Sequence, residues 1–177
     1  MKRIEYVKGD ATLPKGEGTK FVIHCCNDIG GWGRGFVLSI NKRYRRPMEE
    51  YRRWYTDLIH ELATGHFGLG EVQFVPVTGD TIIVNMIGQH GIKKENGIPP
   101  IRYDAIESCL QKVREKIHEM MHEDAEKHFT SDRSLGGYSI HCPRFGAGLA
   151  GGDWALIELL IRENLSKKEI PVTVYDL

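Results

Sequence analysis

Two glycine-rich segments, each directly after an apolar run, constrain this chain more than any other feature. The first apolar run covers residues 21–27 and leads into residues 30–35; the second covers residues 138–142 and leads into residues 146–152. A helical pattern follows each segment. A strand, a glycine loop and a helix N-terminus in succession present unpaired backbone N–H groups and the positive end of a helix dipole, an arrangement that suits phosphate. Two such loops predict a ligand with several phosphates or a long pyrophosphate.

Strand-like and helical patterns alternate along the chain, which indicates the fold class. Strand-like runs cover residues 4–7, 21–25, 72–77, 81–86, 138–142 and 172–175. Helical patterns cover residues 36–44, a segment that begins at Pro47, a long segment after Pro100, and residues 154–165. This order predicts an α/β sandwich of layers, in which ligands bind at the carboxyl ends of the central strands.

Composition excludes several classes of function. The 24 Lys and Arg residues balance 24 Asp and Glu residues, so no global field attracts nucleic acid or acidic partners. The four cysteines form no CxxC pair, and Cys25, Cys26 and Cys142 lie within apolar runs, which predicts reduced, buried thiols in a cytoplasmic protein. The sequence has no signal peptide and no apolar stretch near the roughly 18 residues of a membrane span, so we expect neither export nor membrane insertion.

The long helix after Pro100 carries a single apolar stripe. Its members advance by four, three, four and four residues: Ile106, Leu110, Val113, Ile117 and Met121. The spacing predicts that this face packs on the sheet.

The same helix contains a sequence that mimics a zinc site. His118, Glu119 and His122 form an HExxH motif, and His128 has the spacing of a third ligand. That three-histidine pattern requires glycine where this chain has Ala125, and both motif histidines lie toward the polar flank of the stripe. The pattern favours a solvated helix end, with a zinc hydrolase as the outside alternative.

Together these segments resemble a known family, the macrodomain, an α/β module that binds ADP-ribose. The resemblance rests on residues 4–10, 23–27, 31–35, 143–149 with Trp154, and 172–177, so it covers essentially the whole chain. It is closest to the subgroup of ADP-ribose 1''-phosphate phosphatases and terminal ADP-ribose protein glycohydrolases. The family implies one domain over residues 1–177, with a three-layer α/β/α architecture and a mixed, mainly parallel central sheet.

The resemblance also assigns binding residues. Asp10 would accept a hydrogen bond from the adenine amine, and Asn27 would bind the distal ribose, although each also suits a local turn. Trp32 and Phe145 would form apolar walls or belong to the core, and Leu177 would line the adenine pocket. The full set implied for the ligand is Gly9, Asp10, Ala11, Cys25, Cys26, Asn27, Trp32, Gly33, Arg34, Gly35, Phe36, Val37, Arg144, Phe145, Gly146, Ala147, Gly148, Leu149, Ala150 and Leu177.

Two residues are candidates for catalysis. His24 matches a histidine implicated in the phosphatases and is expected to act as acid or base, with Asp153 as its carboxylate partner. The alternatives are a hydrogen-bonded strand-end histidine and a helix N-cap. The glycohydrolases use a lysine and an aspartate where this chain has Gln89 and Ala150, which disfavours a lysine mechanism.

The resulting expectation is an enzyme that binds ADP-ribose and hydrolyses the phosphate from ADP-ribose 1''-phosphate. The alternatives are a reader of ADP-ribose, or a hydrolase without the lysine that removes ADP-ribose from modified protein or nucleic acid. We expect no cofactor, no metal and no membrane partner, and a monomer in the cytoplasm.

Overall fold

One six-stranded sheet organises the computed structural model, which describes residues 2–60, 66–128 and 137–177. Its strands are β1 (Ile4–Lys8), β2 (Thr19–Asn27), β3 (Val72–Pro76), β4 (Thr81–Gln89), β5 (Tyr138–Pro143) and β6 (Val172–Asp176), in the order β1-β6-β5-β2-β4-β3. All neighbours pair in parallel except β3, which is antiparallel to β4 at one edge. The prediction of a mixed, mainly parallel sheet is confirmed.

Helices cover both faces of the sheet. They are α1 (Phe36–Arg43), α2 (Arg46–Ile59), α3 (Tyr103–His128) and α4 (Trp154–Asn164), with a short 3₁₀ helix at Ser166–Lys168. Helices α1 and α2 contribute to one core cluster, and α3 and α4 to the other. The three-layer α/β/α architecture is therefore confirmed. None of the described helices is both long enough and apolar enough to cross a bilayer.

Strand β2 lies at the centre of the sheet between β5 and β4. Its side chains alternate between the layers: Phe21 and Ile23 belong to the core under α3 and α4, and Val22 and Cys26 to the core under α1 and α2. Because both faces are covered, the strand reads as a continuous apolar run, the signal from which the sequence predicts it.

The apolar stripe of α3 ends one member earlier than its spacing predicts. Ile106, Leu110, Val113 and Ile117 are fully buried, whereas Met121 is 49% exposed. The last turns of the helix are largely exposed, so the side chain of Met121 has little core to pack against. The apolar stripe of the sequence therefore extends one member beyond the core.

The HExxH motif lies on this exposed part of α3. His118 and His122 are both exposed, and Nδ1 of His122 is 3.5 Å from Oε1 of Glu126. The side chain of His128 lies outside the described residues. Across residues 2–60, 66–128 and 137–177, no three His, Cys, Asp or Glu side chains are grouped so that they would hold a metal ion.

A substitution at Gly88, near the end of β4, tests how closely α3 packs on the sheet. A Cβ there would lie 2.2 Å from Cδ1 of Ile106 and 2.9 Å from Sγ of Cys25. We expect Gly88→Ala to lower the free energy of unfolding by about 1–3 kcal/mol through overpacking, measured by urea denaturation. The control is Gly79→Ala in the β3–β4 turn, where a Cβ meets no atom within 4 Å. Equal stability of the two variants would contradict this account.

Candidate ligand cavity

The carboxyl ends of β2, β4, β5, β6 and β1 meet at one edge of the sheet because these strands are parallel. A first loop, residues 28–35, follows β2, and a second loop, residues 144–153, follows β5. Between the two loops lies a cavity of about 240 Å³. It is lined by His24, Cys25, Arg34, Gly35, Phe36, Val37, Gln89, Pro143, Arg144, Phe145, Gly146, Gly148, Leu149 and Ala150. The two glycine segments thus border one cavity.

The side chain of Asn27 fixes the first loop. Its Oδ1 accepts hydrogen bonds from the N–H groups of Ile29 (3.1 Å) and Gly31 (2.8 Å) and from the hydroxyl of Tyr51 (2.9 Å). Its Nδ2 donates to the carbonyl of Gly31 at 2.8 Å. Asn27 is buried and does not line the cavity, so it takes the turn-forming role that was its alternative. Its contact with the ribose of a ligand stays a prediction.

The first loop leaves a run of backbone donors unpaired. Within the described chain, the N–H groups of Gly33, Arg34, Gly35, Phe36 and Val37 have no hydrogen-bond acceptor, and the first helical bond of α1 is made by Leu38 to Gly35. Four of these five residues line the cavity. The N-terminus of α1 therefore presents free donors and a positive dipole end to the cavity.

The second loop is folded by its own backbone. Gly151 donates to the carbonyl of Gly148, and Gly152 donates to that of Gly146. Gly146 has φ of 73°, and a Cβ there would lie 2.8 Å from Cδ1 of Ile101, so the position requires glycine. The N–H groups of four cavity-lining residues, Gly146, Gly148, Leu149 and Ala150, have no acceptor in the described chain.

Arg144 supplies a fixed positive charge to the cavity wall. Its guanidinium donates to both carboxylate oxygens of Asp176, at 2.6 and 2.9 Å, and lowers the pKa of that carboxyl. The guanidinium carbon also lies 5.1 Å from the ring centre of Tyr6 and 5.5 Å from that of Trp154. Phe145 lines the cavity, 4% exposed, with its ring edge-on to Trp154.

Cys25 and Gln89 lie together on the cavity wall. Sγ of Cys25 is 3.9 Å from Oε1 of Gln89, and Nε2 of Gln89 donates to the carbonyl of Gly91. Burial raises the pKa of Cys25 to about 12, so its thiol stays protonated and is a poor nucleophile. All four cysteines are free thiols.

The imidazole of His24 is locked into the layer below α1. It is 1% exposed, packs against Trp32 and Phe36, and its Nε2 lies 2.6 Å from Oδ1 of Asn85. Asn85 donates through Nδ2 to the carbonyl of Pro47 and to Gln73, so its oxygen faces His24 and accepts a proton from Nε2. Burial lowers the pKa of His24 to about 4. This is the environment of a hydrogen-bonded core histidine.

Asp153 takes the N-cap position that was its alternative, and its pairing with His24 stays a prediction. Oδ1 of Asp153 accepts from the N–H of Ala155 at 2.9 Å and caps α4, and Asp153 is absent from the residues that line the cavity. An N-cap carboxylate at the start of this helix satisfies a donor that has no partner within the helix.

Four further residues predicted to bind the ligand do not line the cavity, and their role in binding stays a prediction. Trp32 is 5% exposed, packs against Tyr51 and donates from Nε1 to Asn41, so it belongs to the core. Cys26 is buried in the same layer, with Sγ 3.8 Å from Nδ1 of His24. Gly33 and Ala147 lie in the loops, but they do not line the cavity.

The residues predicted for the adenine lie to one side of the cavity, beyond β6. Oδ1 of Asp10 accepts from N–H and Oγ1 of Thr12, and its Oδ2 is 3.8 Å from Arg43. Gly9 donates to the carbonyl of Asp176, Ala11 is buried, and Leu177 is fully exposed. Their role in adenine binding stays a prediction.

Sequence reasoning missed a pair at the opposite side, an aspartate and a histidine. Nδ1 of His90 is 2.7 Å from Oδ2 of Asp28, and these residues directly follow β4 and β2. Both residues could have been singled out in the sequence, because each directly follows one of two neighbouring parallel strands.

Comparisons with solved structures place the chain in a family. A protein of unknown function from Bacteroides thetaiotaomicron is 48% identical, covers 99% of each chain and has a TM-score of 0.83. A macrodomain protein from Streptomyces coelicolor is 42% identical, also covers 99% of each chain and has a TM-score of 0.78. No family model matches the sequence. The identity to the Streptomyces protein over nearly its full length shows that the chain belongs to the macrodomain family.

Curated relatives are more distant. The mouse chromodomain-helicase-DNA-binding protein 1-like is 28% identical over 97% of this chain, which spans only 17% of that protein's length; the zebrafish protein is similar, at 26% identity and 15% of its length. The ADP-ribose 1''-phosphate phosphatase of Saccharomyces cerevisiae is 23% identical over the whole of both chains.

The buried His24 predicts a pH dependence of stability. Its folded pKa of about 4 lies below the 6.5 of an exposed histidine, so the unfolded state binds the proton more tightly. Its neutral form stabilises the fold fully above pH 6.5, and this contribution is lost as the pH falls toward 4. Between pH 7.5 and pH 5, we expect the free energy of unfolding of wild type to fall by about 2 kcal/mol more than that of His24→Gln. Equal losses in urea denaturation would refute this.

Proposed function

We propose that the cavity binds ADP-ribose, with its diphosphate between the two glycine loops. The observation that carries the proposal is the set of unpaired donors: the N–H groups of residues 34–37 and of Gly146, Gly148, Leu149 and Ala150 all belong to residues that line one cavity. Backbone N–H groups without a protein acceptor at a helix N-terminus and a glycine loop are ready donors for the phosphate oxygens of a ligand. Arg34 of the first loop and Arg144 of the second loop also line the cavity, and the guanidinium of Arg144 is paired with the carboxylate of Asp176.

The order of the strands assigns an orientation to the proposed ligand. Asp10 and Leu177 follow β1 and β6, the two loops follow β5 and β2, and Gln89 ends β4, so these groups succeed one another along the sheet edge. With the adenine at Asp10 and the diphosphate between the loops, the distal ribose lies toward Gln89. This is the binding mode that membership of the macrodomain family favours.

We further propose that the protein hydrolyses ADP-ribose 1''-phosphate. The yeast phosphatase that matches the whole chain supports this activity, although its identity is only 23%. Gln89 and Ala150 stand on the cavity wall where a lysine mechanism requires an amine and a carboxylate. The activity therefore has to use an activated water rather than a covalent amine intermediate.

Binding without turnover is the second candidate. The lining residues favour it, because their titratable side chains are two arginines, a thiol with raised pKa and the buried His24. Such a protein would read ADP-ribose, free or attached to another molecule.

Gly148 allows a direct test of the phosphate cradle. It lines the cavity, and a Cβ there meets no protein atom within 4 Å, so a larger side chain fits the fold but takes up ligand space. We expect Gly148→Val to weaken ADP-ribose binding at least tenfold in calorimetry, with an unchanged melting temperature. Gly79→Val, remote from the cavity, is the matched control. Failure of wild type to bind ADP-ribose at millimolar concentration would refute the proposed function.

A substrate panel separates the two candidates. Wild type is mixed with ADP-ribose 1''-phosphate, with ADP-ribosylated protein and with ADP-ribosylated DNA, and released phosphate and ADP-ribose are measured. We expect multiple-turnover phosphate release from the first substrate. ADP-ribose binding with no product from any of the three would establish the reader instead, and release from the protein or DNA alone would replace the phosphatase with a de-ADP-ribosylating hydrolase.

A further inference from the structure

The Asp28–His90 pair lies directly beyond the cavity wall: neither residue lines the cavity, but His90 follows Gln89, which does. The N–H of Asp28 donates to the carbonyl of Gln89 at 3.1 Å, and the N–H of Gly91 donates to Oδ1 of Asp28 at 2.8 Å. These bonds tie the ends of β2 and β4 together and hold the pair next to the cavity, on the side where the proposed ligand carries its distal ribose.

The hydrogen bond between the two side chains decides which nitrogen of His90 is basic. An ionised Asp28 is only an acceptor, so Nδ1 carries the proton and Nε2 keeps its lone pair. The carboxylate of Glu95 lies 3.8 Å from Nε2, too far for a hydrogen bond. His90 is 45% exposed and Asp28 is 16% exposed. A carboxylate thus orients an imidazole whose free nitrogen is accessible, which is the arrangement of a general base.

We propose that His90, oriented by Asp28, is the general base that activates water for hydrolysis of ADP-ribose 1''-phosphate. This inference rests on the proposed function, since it requires the ligand in the cavity with its distal ribose toward β4. His24 is buried and paired with Asn85, and the thiol of Cys25 stays protonated, so neither competes for this role. His90 touches the reacting water, and Asp28 is its positioning residue.

The step balances without a cofactor. Nε2 of His90 takes a proton from water as the water oxygen forms a bond to C1'' of the ribose. The bond between C1'' and the phosphate oxygen breaks, and its electron pair leaves with the phosphate. The step balances when the substrate reacts as its phosphate monoanion, because that form leaves as hydrogenphosphate and needs no further proton. The monoanion is the minor form near pH 7 but is accessible, since the second pKa of a phosphate ester is about 6. The imidazolium then returns its proton to solvent.

The His90→Asn substitution distinguishes a role of His90 as the base from a role in holding the loop. Nδ2 of asparagine can donate to Asp28 in place of Nδ1 of histidine, so the loop anchor is kept while the base is removed. We expect His90→Asn to lower kcat for phosphate release at least 100-fold, in line with the usual contribution of a general base. The Kd for ADP-ribose and the melting temperature should stay within about twofold and about 2 °C of wild type.

Asp28→Asn provides the second arm of the test. Its Oδ1 can still accept from Gly91, but an amide facing Nδ1 donates to it and moves the proton of His90 to Nε2. We expect a comparable fall in kcat, again with ADP-ribose binding retained. His118→Asn, an exposed histidine on α3, is the control and should keep the kcat of wild type.

The position of bond cleavage is read in water labelled with ¹⁸O. Attack at C1'' leaves the released phosphate unlabelled, whereas label in the phosphate would overturn the step. Wild-type kcat in His90→Asn would overturn the role of His90, and so would a wild type that binds ADP-ribose but releases no phosphate. A wild type that does not bind ADP-ribose would overturn the proposed function itself, which calorimetry distinguishes from the other results.

Discussion

The side chain of Asn27 is the interaction on which the site depends most. It accepts from three donors and returns one hydrogen bond to Gly31, so the first loop is folded by a side chain instead of by its own backbone. Among the described residues, the backbone N–H groups from Gly33 to Val37 have no acceptor, and the residues from Arg34 to Val37 line the cavity. A loop that folded through its own amides would have used the donors that a phosphate needs. Tyr51 extends this dependence to α2, because its buried hydroxyl also donates to the carbonyl of Asn27.

A second series of hydrogen-bonded polar groups lies next to this loop and fixes the strands and the helix that carry it. His24 bonds to Asn85, and Asn85 donates to the carbonyl of Pro47 at the start of α2 and to Gln73 on β3. Polar groups buried in this way are stabilising only when each has a partner, so β2, β4, β3 and α2 are fixed in one arrangement. The neutral state of His24 follows from this packing, which explains why a histidine beside a cavity has a pKa lowered to about 4 instead of one suited to catalysis.

The sequence predicts the fold and the place of the cavity, because both depend on local patterns. The continuous apolar run of β2 indicates a strand covered on both faces, and the glycines after β2 and β5 indicate loops at one sheet edge. Side-chain direction is harder to predict: His24 and Trp32 face the α1–α2 layer, and Asn27 turns into its own loop, since tertiary partners such as Asn85, Asn41 and Tyr51 lie up to about 60 positions away along the chain. Asp28 and His90 were missed for the same reason. Met121 shows the opposite limit of a local pattern: the apolar periodicity of α3 includes it, although the core ends before it.

The cavity separates the task of holding a ligand from the task of transferring a proton. Its wall includes backbone donors without a protein acceptor and two arginines, and these groups do not exchange protons near neutral pH. The thiol of Cys25 and the imidazole of His24, which also line the cavity, are held in their neutral forms by burial. Asp28 and His90 differ from them by lying one residue beyond the strands, where the histidine reaches solvent while its carboxylate partner stays largely buried. In the proposed reaction this exposed nitrogen would meet water outside the two glycine loops, so ligand binding and proton transfer would depend on different residues.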